Sequence, residues 1–281
     1  MIPEHISYSS WMLFRQVCQW RWKLDYIEKR HLSTYSIHFD FGGAVHFAIE
    51  CMKRRKHTIS LEHSHKIFEK KLRLRYKENS SKYDAPADLE EFVKAGHNIL
   101  EHLHECKELT DAEVLYNEYR LFDDIDRTDD VKIKFKGFID IVIKTKDARG
   151  NSILYVCDFK TCSWGWPKEK REDKNLHFQI LLYKHFLCKK FNLDPKMVRT
   201  AFILLKKKPG KNAPVIEFFP ISAGPVSVQR ALDALNSDIT KMSMHEKDGD
   251  FQKNRESCKD KYGRTCPYFG SEYCPGVKAS K

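Results

Sequence analysis

Two short segments set charged side chains into apolar strands, a pattern that needs a chemical reason. In Gly137-Phe138-Ile139-Asp140-Ile141-Val142-Ile143 an aspartate lies among apolar residues. In Leu154-Tyr155-Val156-Cys157-Asp158-Phe159-Lys160 an aspartate and a lysine stand two apart. Alternation along a strand puts Asp158 and Lys160 on one face. Strands this apolar are expected to be buried on both sides, where an unpaired carboxylate is strongly disfavoured. A divalent cation removes that penalty, and hard carboxylate oxygens suit magnesium or manganese. Such an ion polarises a phosphodiester and lowers the pKa of a bound water. Lys160 would orient that water or offset the charge growing on the phosphate. The bland alternative is a buried Asp–Lys ion pair with no catalytic role, because an Asp-x-Lys triplet alone is common. A second buried aspartate, Asp140 on the preceding strand, favours the catalytic reading.

The elements that must position these groups follow from periodicity. A helix is expected over residues 8–26, capped by Ser9 or Ser10, with Trp11, Phe14, Cys18 and Trp22 at helical spacing. Further helices are expected over 43–56, 60–77 and 88–107, the last two strongly charged. The pattern then changes to period two, giving strands over 113–122, 133–144 and 153–162 with a turn at 147–151. A helix over 175–191, strands over 198–207 and 215–221 joined by a turn at 208–214, and a helix over 226–247 complete the order. The chain therefore reads as an α/β protein with a mixed central sheet flanked by helices. It reads as a single domain over 1–281, with a helical N-terminal region, a helical insertion over 57–110 and a cysteine-rich tail over 251–281.

Composition narrows the partner. The 281 residues are 41% hydrophobic, sufficient for a core, and the net charge is +11. That balance points to an anionic partner, nucleic acid before an acidic membrane surface, although a merely soluble basic protein also fits. Residues 1–10 are polar and no apolar run approaches a membrane span. The expected location is a reducing cytoplasm, of a cell or of a phage-infected host. There the nine cysteines serve as buried thiols or metal ligands rather than disulfides.

Four motifs in chain order make the sequence similar to the RecB-like branch of the PD-(D/E)XK nucleases, which includes the CRISPR-adaptation nuclease and many phage exonucleases. Gly42-Gly43-Ala44-Val45-His46 resembles the Gly-x-x-x-His helix motif whose histidine contacts the metal. Gly137-Phe138-Ile139-Asp140 resembles the Gly-x-x-Asp strand, and Asp158-Phe159-Lys160 the Asp/Glu-x-Lys motif. Gln179-Ile180-Leu181-Leu182-Tyr183 resembles the Gln-x-x-x-Tyr helix motif. Gln179 and Tyr183 fall one turn apart on one helix face, which in the family faces the active site and the DNA. The resemblance implies a restriction-endonuclease-like core. It implies catalytic Asp140, Asp158, Lys160, Gln179 and Tyr183, and magnesium or manganese held by His46, Asp140 and Asp158. Glu118, on the preceding strand, matches a further acidic position less closely. Taken singly, His46 also reads as an ordinary helix histidine, and Gln179 with Tyr183 as a packing and capping pair.

Cys258, Cys266 and Cys274 crowd one short tail, with Pro267 and Pro275 directly after two of them. Three ligands cannot fill four positions. The resemblance supplies Cys18 as the fourth, because the RecB-like branch often has one cysteine ahead of the core and three behind it holding a [4Fe-4S] cluster. The spacing departs from the tighter grouping in many members, which leaves zinc, or no metal, open. The implied role is structural, tying the first helix to the tail around the nuclease core. Cys51, Cys106, Cys157, Cys162 and Cys188 read as ordinary core thiols.

Basic runs at Lys53-Arg54-Arg55-Lys56, over 70–77 and at Lys206-Lys207-Lys208 suit either a DNA backbone or a solvated face. Trp164 and Trp166 suit either stacking on unpaired bases or core packing. The expected function is metal-dependent DNA cutting, at single strands or ends, in recombination, repair or phage DNA processing. The protein would act without a membrane and be compatible with a recombination or helicase partner. A catalytically idle DNA-binding adaptor that kept the fold and the cluster is the alternative. A site-specific restriction-type enzyme fits less well, since that class does not usually carry the cysteine set.

Overall fold

The structure, a computed structural model, describes residues 2–32, 35–54, 57–260 and 263–276. In chain order the elements are β1 (His5–Ser7), α1 (Tyr8–Met12), α2 (Gln19–Trp22), α3 (Ile37–Met52), β2 (Lys53–Arg54), β3 (His57–Thr58), α4 (Leu61–Asn79), α5 (Leu89–Glu105), α6 (Lys107–Thr110) and β4 (Glu113–Asp124). There follow β5 (Lys134–Lys146), β6 (Ser152–Cys162), α7 (Lys168–Glu172), α8 (Lys174–Phe191), β7 (Val198–Lys206), β8 (Ile216–Ile221) and α9 (Pro225–Asp248). They gather into two compact units. One comprises Met1–Tyr35, Phe122–Lys136 and Leu232–Lys281, the other Ser36–Leu121 and Gly137–Ala231.

The second unit holds the mixed sheet expected from the alternating pattern. β5 runs antiparallel to β6 with Ile141 opposite Cys157. β6 runs parallel to β7 with Lys160 opposite Leu204, β8 closes antiparallel on β7, and β4 pairs with β5. A parallel pair needs a crossover, and the chain between β6 and β7 supplies it as α8. Asp173 caps that helix by accepting from the Asn175 amide at 2.9 Å. Asn192 ends it in the left-handed region at φ 49°, which asparagine tolerates.

Alternation decides what each sheet face does. Ile141, Ile143, Cys157, Phe159, Ala201 and Ile203 share one core with α3, α4 and α5, and the intervening residues, among them Asp158 and Lys160, point the other way. Gly42 lets α3 approach β6 closely, since a Cβ there would meet Thr161 Oγ1 at 3.3 Å. Phe68 and Leu72 of α4 are fully buried in the same core as Phe41 of α3, so α4 contributes to the packing that seats α3.

The contact behind that seat is tight. A Cβ at Gly96 of α5 would come 2.0 Å from Phe68 Cζ, and the Phe68 ring packs edge-on against Phe41 at 5.9 Å. Gly96→Ala gains up to about 1 kcal/mol of helix propensity but overpacks a buried ring at about 1–3 kcal/mol. The expected net effect is a lower urea midpoint at unchanged slope. A raised midpoint would show that the ring can move aside.

In the first unit, Ile6 pairs with Phe135 in a short parallel ladder. The single helix expected over 8–26 is broken. Its cap is Ser7, whose hydroxyl accepts from the Ser10 amide, rather than Ser9 or Ser10. A π-helical turn over Leu13–Val17 then ends at Cys18, which is extended at φ −164°, ψ 118° and caps α2. The Cys18 amide donates five residues back to the Leu13 carbonyl at 2.8 Å, so the wider turn exhausts the helix at that residue. Trp22 packs between Phe14 and Phe251. Asp238, 2% exposed, accepts from Trp11 Nε1 at 2.8 Å and Arg15 at 2.6 Å.

Candidate active site

The register that sets Ile141 opposite Cys157 brings Asp140 of β5 alongside Asp158 of β6. Asp140 Oδ2 accepts the Phe159 amide at 2.6 Å, which fixes its carboxylate against the neighbouring strand. Asp158 is buried. Lys160 Nζ lies 2.7 Å from its Oδ2, an ion pair whose angle makes no hydrogen bond, and Gln179 Nε2 donates to its Oδ1 at 2.9 Å. Gln179 Nε2 also reaches the Tyr183 hydroxyl at 3.1 Å. The two residues of the Gln-x-x-x-Tyr motif thus sit on one face of α8, as their spacing requires. Gln179 Oε1 is buried and accepts no hydrogen bond among the described residues.

His46 and Glu118 complete the constellation. His46 stands one turn after Gly42 on α3, so the close approach at Thr161 carries the imidazole to Phe159, edge-on at 6.1 Å. There its Nδ1 lies 3.5 Å from Asp140 Oδ2. Glu118 of β4 has φ 47°, a left-handed conformation that is rare and costly for a residue with a side chain. Its neighbours show what this achieves. Tyr116 and Tyr119, three apart, both pack on Phe191, with ring centroids at 5.3 and 5.5 Å. Strict alternation forbids this, and a bulge at Glu118 permits it. One ligand atom each from His46, Glu118 and Asp140 lies within 4.8 Å of the others. Sequence reading put Asp158 with His46 and Asp140 in the metal set and left Glu118 outside it. The structure joins Glu118 to those two and engages both oxygens of Asp158 with Lys160 and Gln179. An acid in the middle of an aromatic-rich strand was the available signal, but no propensity reveals the bulge that aims it.

The electrostatics are those of crowded carboxylates. Burial, then the Asp140 charge, pushes Glu118 up to about 7. Burial raises Asp158 as well, against the lowering effect of Lys160. Burial alone would depress His46, but Asp140 and Asp158 outweigh it and the net shift is upward. Burial and Asp158 raise the Tyr183 hydroxyl, keeping it a neutral hydrogen-bonding group. A cation among these groups would relieve the repulsion and displace the protons they hold.

The sign of the pH effect follows. A glutamate raised in the folded state stabilises the metal-free protein most at acid pH, and that contribution is lost as pH rises through about 7. Manganese, which needs the deprotonated ligands, should bind more tightly over the same rise. Titration calorimetry across that range should show affinity climbing with pH in the wild type and a flatter profile in Glu118→Gln. A pH-independent wild-type affinity would exclude Glu118 and His46 as ligands.

Residues 5–275 match the family model described as the PD-(D/E)XK nuclease superfamily. The chain belongs to that superfamily. A crystal structure of a "Putative exonuclease" from Eubacterium rectale shares the fold, with a TM-score of 0.57 at 13% identity over 89% of this chain and 84% of that one. No curated protein matches the sequence.

This PD-(D/E)XK chain divides its tryptophans and basic runs between roles. Trp166 is core, packed on Phe202 at 5.1 Å and Phe219 at 6.0 Å, whereas Trp164 is 73% exposed. In the run Lys206-Lys207-Lys208, Lys206 is buried in an ion pair with Glu217 at 2.7 Å. Lys207 lies over the Phe92 ring at 4.8 Å, and Lys208 pairs with Glu91. Within 70–77, Arg73 bridges Glu69 and Glu90. Arg73, Lys206 and Lys208 of the expected basic runs are therefore internally paired. Arg55 and Lys56 lie outside the described residues. Among the described residues, no helix is long and apolar enough to cross a membrane.

The superfamily core is accompanied by a thiol cluster within the first unit. Cys18, Cys258, Cys266 and Cys274 line one small cavity together with Trp20, Arg255 and Tyr268. The extended backbone at Cys18 turns its sulfur inward to accept from the Arg21 amide at 3.5 Å. The Cys266 amide donates to the Cys258 carbonyl at 2.8 Å, and Arg255 donates to Cys274 Sγ at 3.4 Å. Burial, then the neighbouring Cys266 and Cys274, raises the Cys258 thiol. Cys157 and Cys188 are buried elsewhere, as core thiols.

Proposed function

We propose that the protein is a metal-dependent deoxyribonuclease that hydrolyses phosphodiester bonds, acting as an exonuclease on single strands or DNA ends in recombination, repair or phage DNA processing. The observation that carries this reading is the convergence of His46, Glu118 and Asp140 beside the Asp158–Lys160 ion pair. Half-buried carboxylates this close, with Glu118 pushed up to about 7, suit a divalent cation, and oxygen donors with one imidazole suit magnesium or manganese. His46, Glu118, Asp140 and Asp158 would hold it. When bound, the ion supplies Lewis-acid polarisation of the phosphodiester and a more acidic water. The chain's own groups do the rest. Lys160, held by Asp158 and partly exposed, orients the attacking water and offsets charge on the phosphate. Gln179 and Tyr183 fix the Asp158 carboxylate through the chain of hydrogen bonds from α8. The fold shared with the "Putative exonuclease" from Eubacterium rectale supports the exonuclease form of this reading.

In the same proposal, the four thiols of the first unit hold a [4Fe-4S] cluster, with zinc as the alternative. Four cysteines lining one cavity match the number of thiolates that such a site needs, and its role would be structural.

The test is incubation of anaerobically purified protein with end-labelled linear single- and double-stranded DNA, in magnesium, manganese or EDTA. Cutting in either metal and not in EDTA is expected, with the label pattern giving the direction. Binding without cutting in any metal would leave an idle adaptor instead.

A further inference from the structure

We infer that the cleft beside Trp164 receives an unpaired base of the DNA strand that leads to the carboxylate site. The inference rests on the nuclease reading for its substrate and adds where the strand lies and why it must be single.

The cleft has a volume of about 300 Å³ and lies between Trp164, the start of α3 and the start of α5. That is the lower end of the ~300–1,000 Å³ typical of small-molecule sites, room for one base rather than a duplex. Trp164 forms one wall and is 73% exposed, yet its backbone is fixed on both sides. The Lys207 amide donates to the Cys162 carbonyl at 2.9 Å and the Lys208 amide to the Ser163 carbonyl at 2.8 Å. Two residues on, Trp166 is anchored in the core and its carbonyl accepts Arg171 Nε at 2.7 Å. A large exposed indole on a stretch of backbone tied down just before and just after it offers a stacking platform to an arriving base.

Other lining residues supply charge. Lys207 Nζ lies over the Phe92 ring and 2.8 Å from His38 Nδ1. Lys208 is at the rim in its ion pair with Glu91. The Asp88 carboxylate is occupied by the Glu90 and Glu91 amides of its own helix, and Asp84 is an exposed lining residue. These carboxylates disfavour a phosphate inside the cleft and provide acceptors for a base's amino group. Phosphates belong on the Lys207–Lys208 side.

Two independent paths give the distance to the carboxylates. His38 precedes His46 by eight residues of α3, ~12 Å along a helix axis. Trp164 follows Lys160 by four residues, at most ~13 Å of extended chain. A strand with a base in the cleft therefore has its scissile bond only a few nucleotides away.

The test measures binding in EDTA, so that cutting cannot enter the readout. Anisotropy of a fluorescein-labelled single-stranded DNA oligonucleotide is compared for wild type, Trp164→Ala and Trp164→Phe, with a blunt duplex and an RNA strand of the same sequence in parallel. Trp164→Ala should weaken the DNA single strand roughly tenfold, with most of the affinity restored in Trp164→Phe and no difference among the three proteins on the duplex. Undiminished single-strand binding in Trp164→Ala, an equal loss on the duplex, or tighter binding of the RNA would overturn the assignment. A protein that shows the expected pattern but cuts nothing in any metal keeps the cleft and loses the nuclease reading.

Discussion

Lys160→Ala and Asp140→Asn should each lower manganese-dependent cutting of end-labelled DNA by roughly 10²–10³-fold or more, the scale of losing a group aimed at transition-state charge, while the fold persists. The two act differently. Lys160 is the cation that lowers the Asp158 pKa, so its removal takes away the charge on the phosphate side and also leaves a buried carboxylate without its ion pair. Asp140→Asn keeps the local backbone, because an amide oxygen can still accept the Phe159 amide that Asp140 Oδ2 accepts at 2.6 Å. It removes one of the negative charges that raise Glu118. Metal-free Asp140→Asn should therefore unfold no earlier than the wild type, while its manganese affinity falls. A Lys160→Ala protein that cuts at the wild-type rate would remove lysine from the mechanism.

If the four thiols of the first unit hold a metal as proposed, Cys266→Ser should release it, bleach visible absorbance and lower the unfolding midpoint by many degrees. Metal bound only by the folded chain adds directly to folding free energy, on the order of 10 kcal/mol for closed thiolate sites. A loss of even about 3 kcal/mol would be conspicuous in a protein whose whole stability is about 5–15 kcal/mol. Cys266 is chosen because its amide also ties the tail to the Cys258 carbonyl, a bond that serine retains, so the substitution tests the sulfur rather than the loop. Iron and zinc analysis of the same preparations separates a cluster from a single ion. An unchanged spectrum, metal content and midpoint would leave these residues as four neighbouring thiols.

Most of the sheet was legible because its signal is local and strong. The strand over 198–207 has an apolar run, Ala201 to Leu205, with charge on either side of it, and the Gly42, Asp140, Asp158–Lys160 and Gln179–Tyr183 segments lie on the element types expected of them. Three features were not legible, each for a physical reason. The break at Cys18 arises from a π-helical turn that no residue in 8–26 announces, since none of them is glycine or proline. Trp164 and Trp166 are chemically identical in sequence, and only the packing of Phe202 and Phe219 decides which one is core. The lysine run 206–208 reads as one basic patch, yet Glu217, Phe92 and Glu91 come from distant segments to divide it.

The left-handed residue in β4 also bears on how this chain should be lined up with others. A bulge is an inserted residue, so a relative with an unbulged strand is one residue shorter between the position matching Tyr116 and the one matching Tyr119. Alignment without a gap there would set Asn117 or Tyr119 against that relative's acid, and the chain would look as though it lacked an acid that it has at Glu118. A single-column error would then hide one member of the carboxylate group.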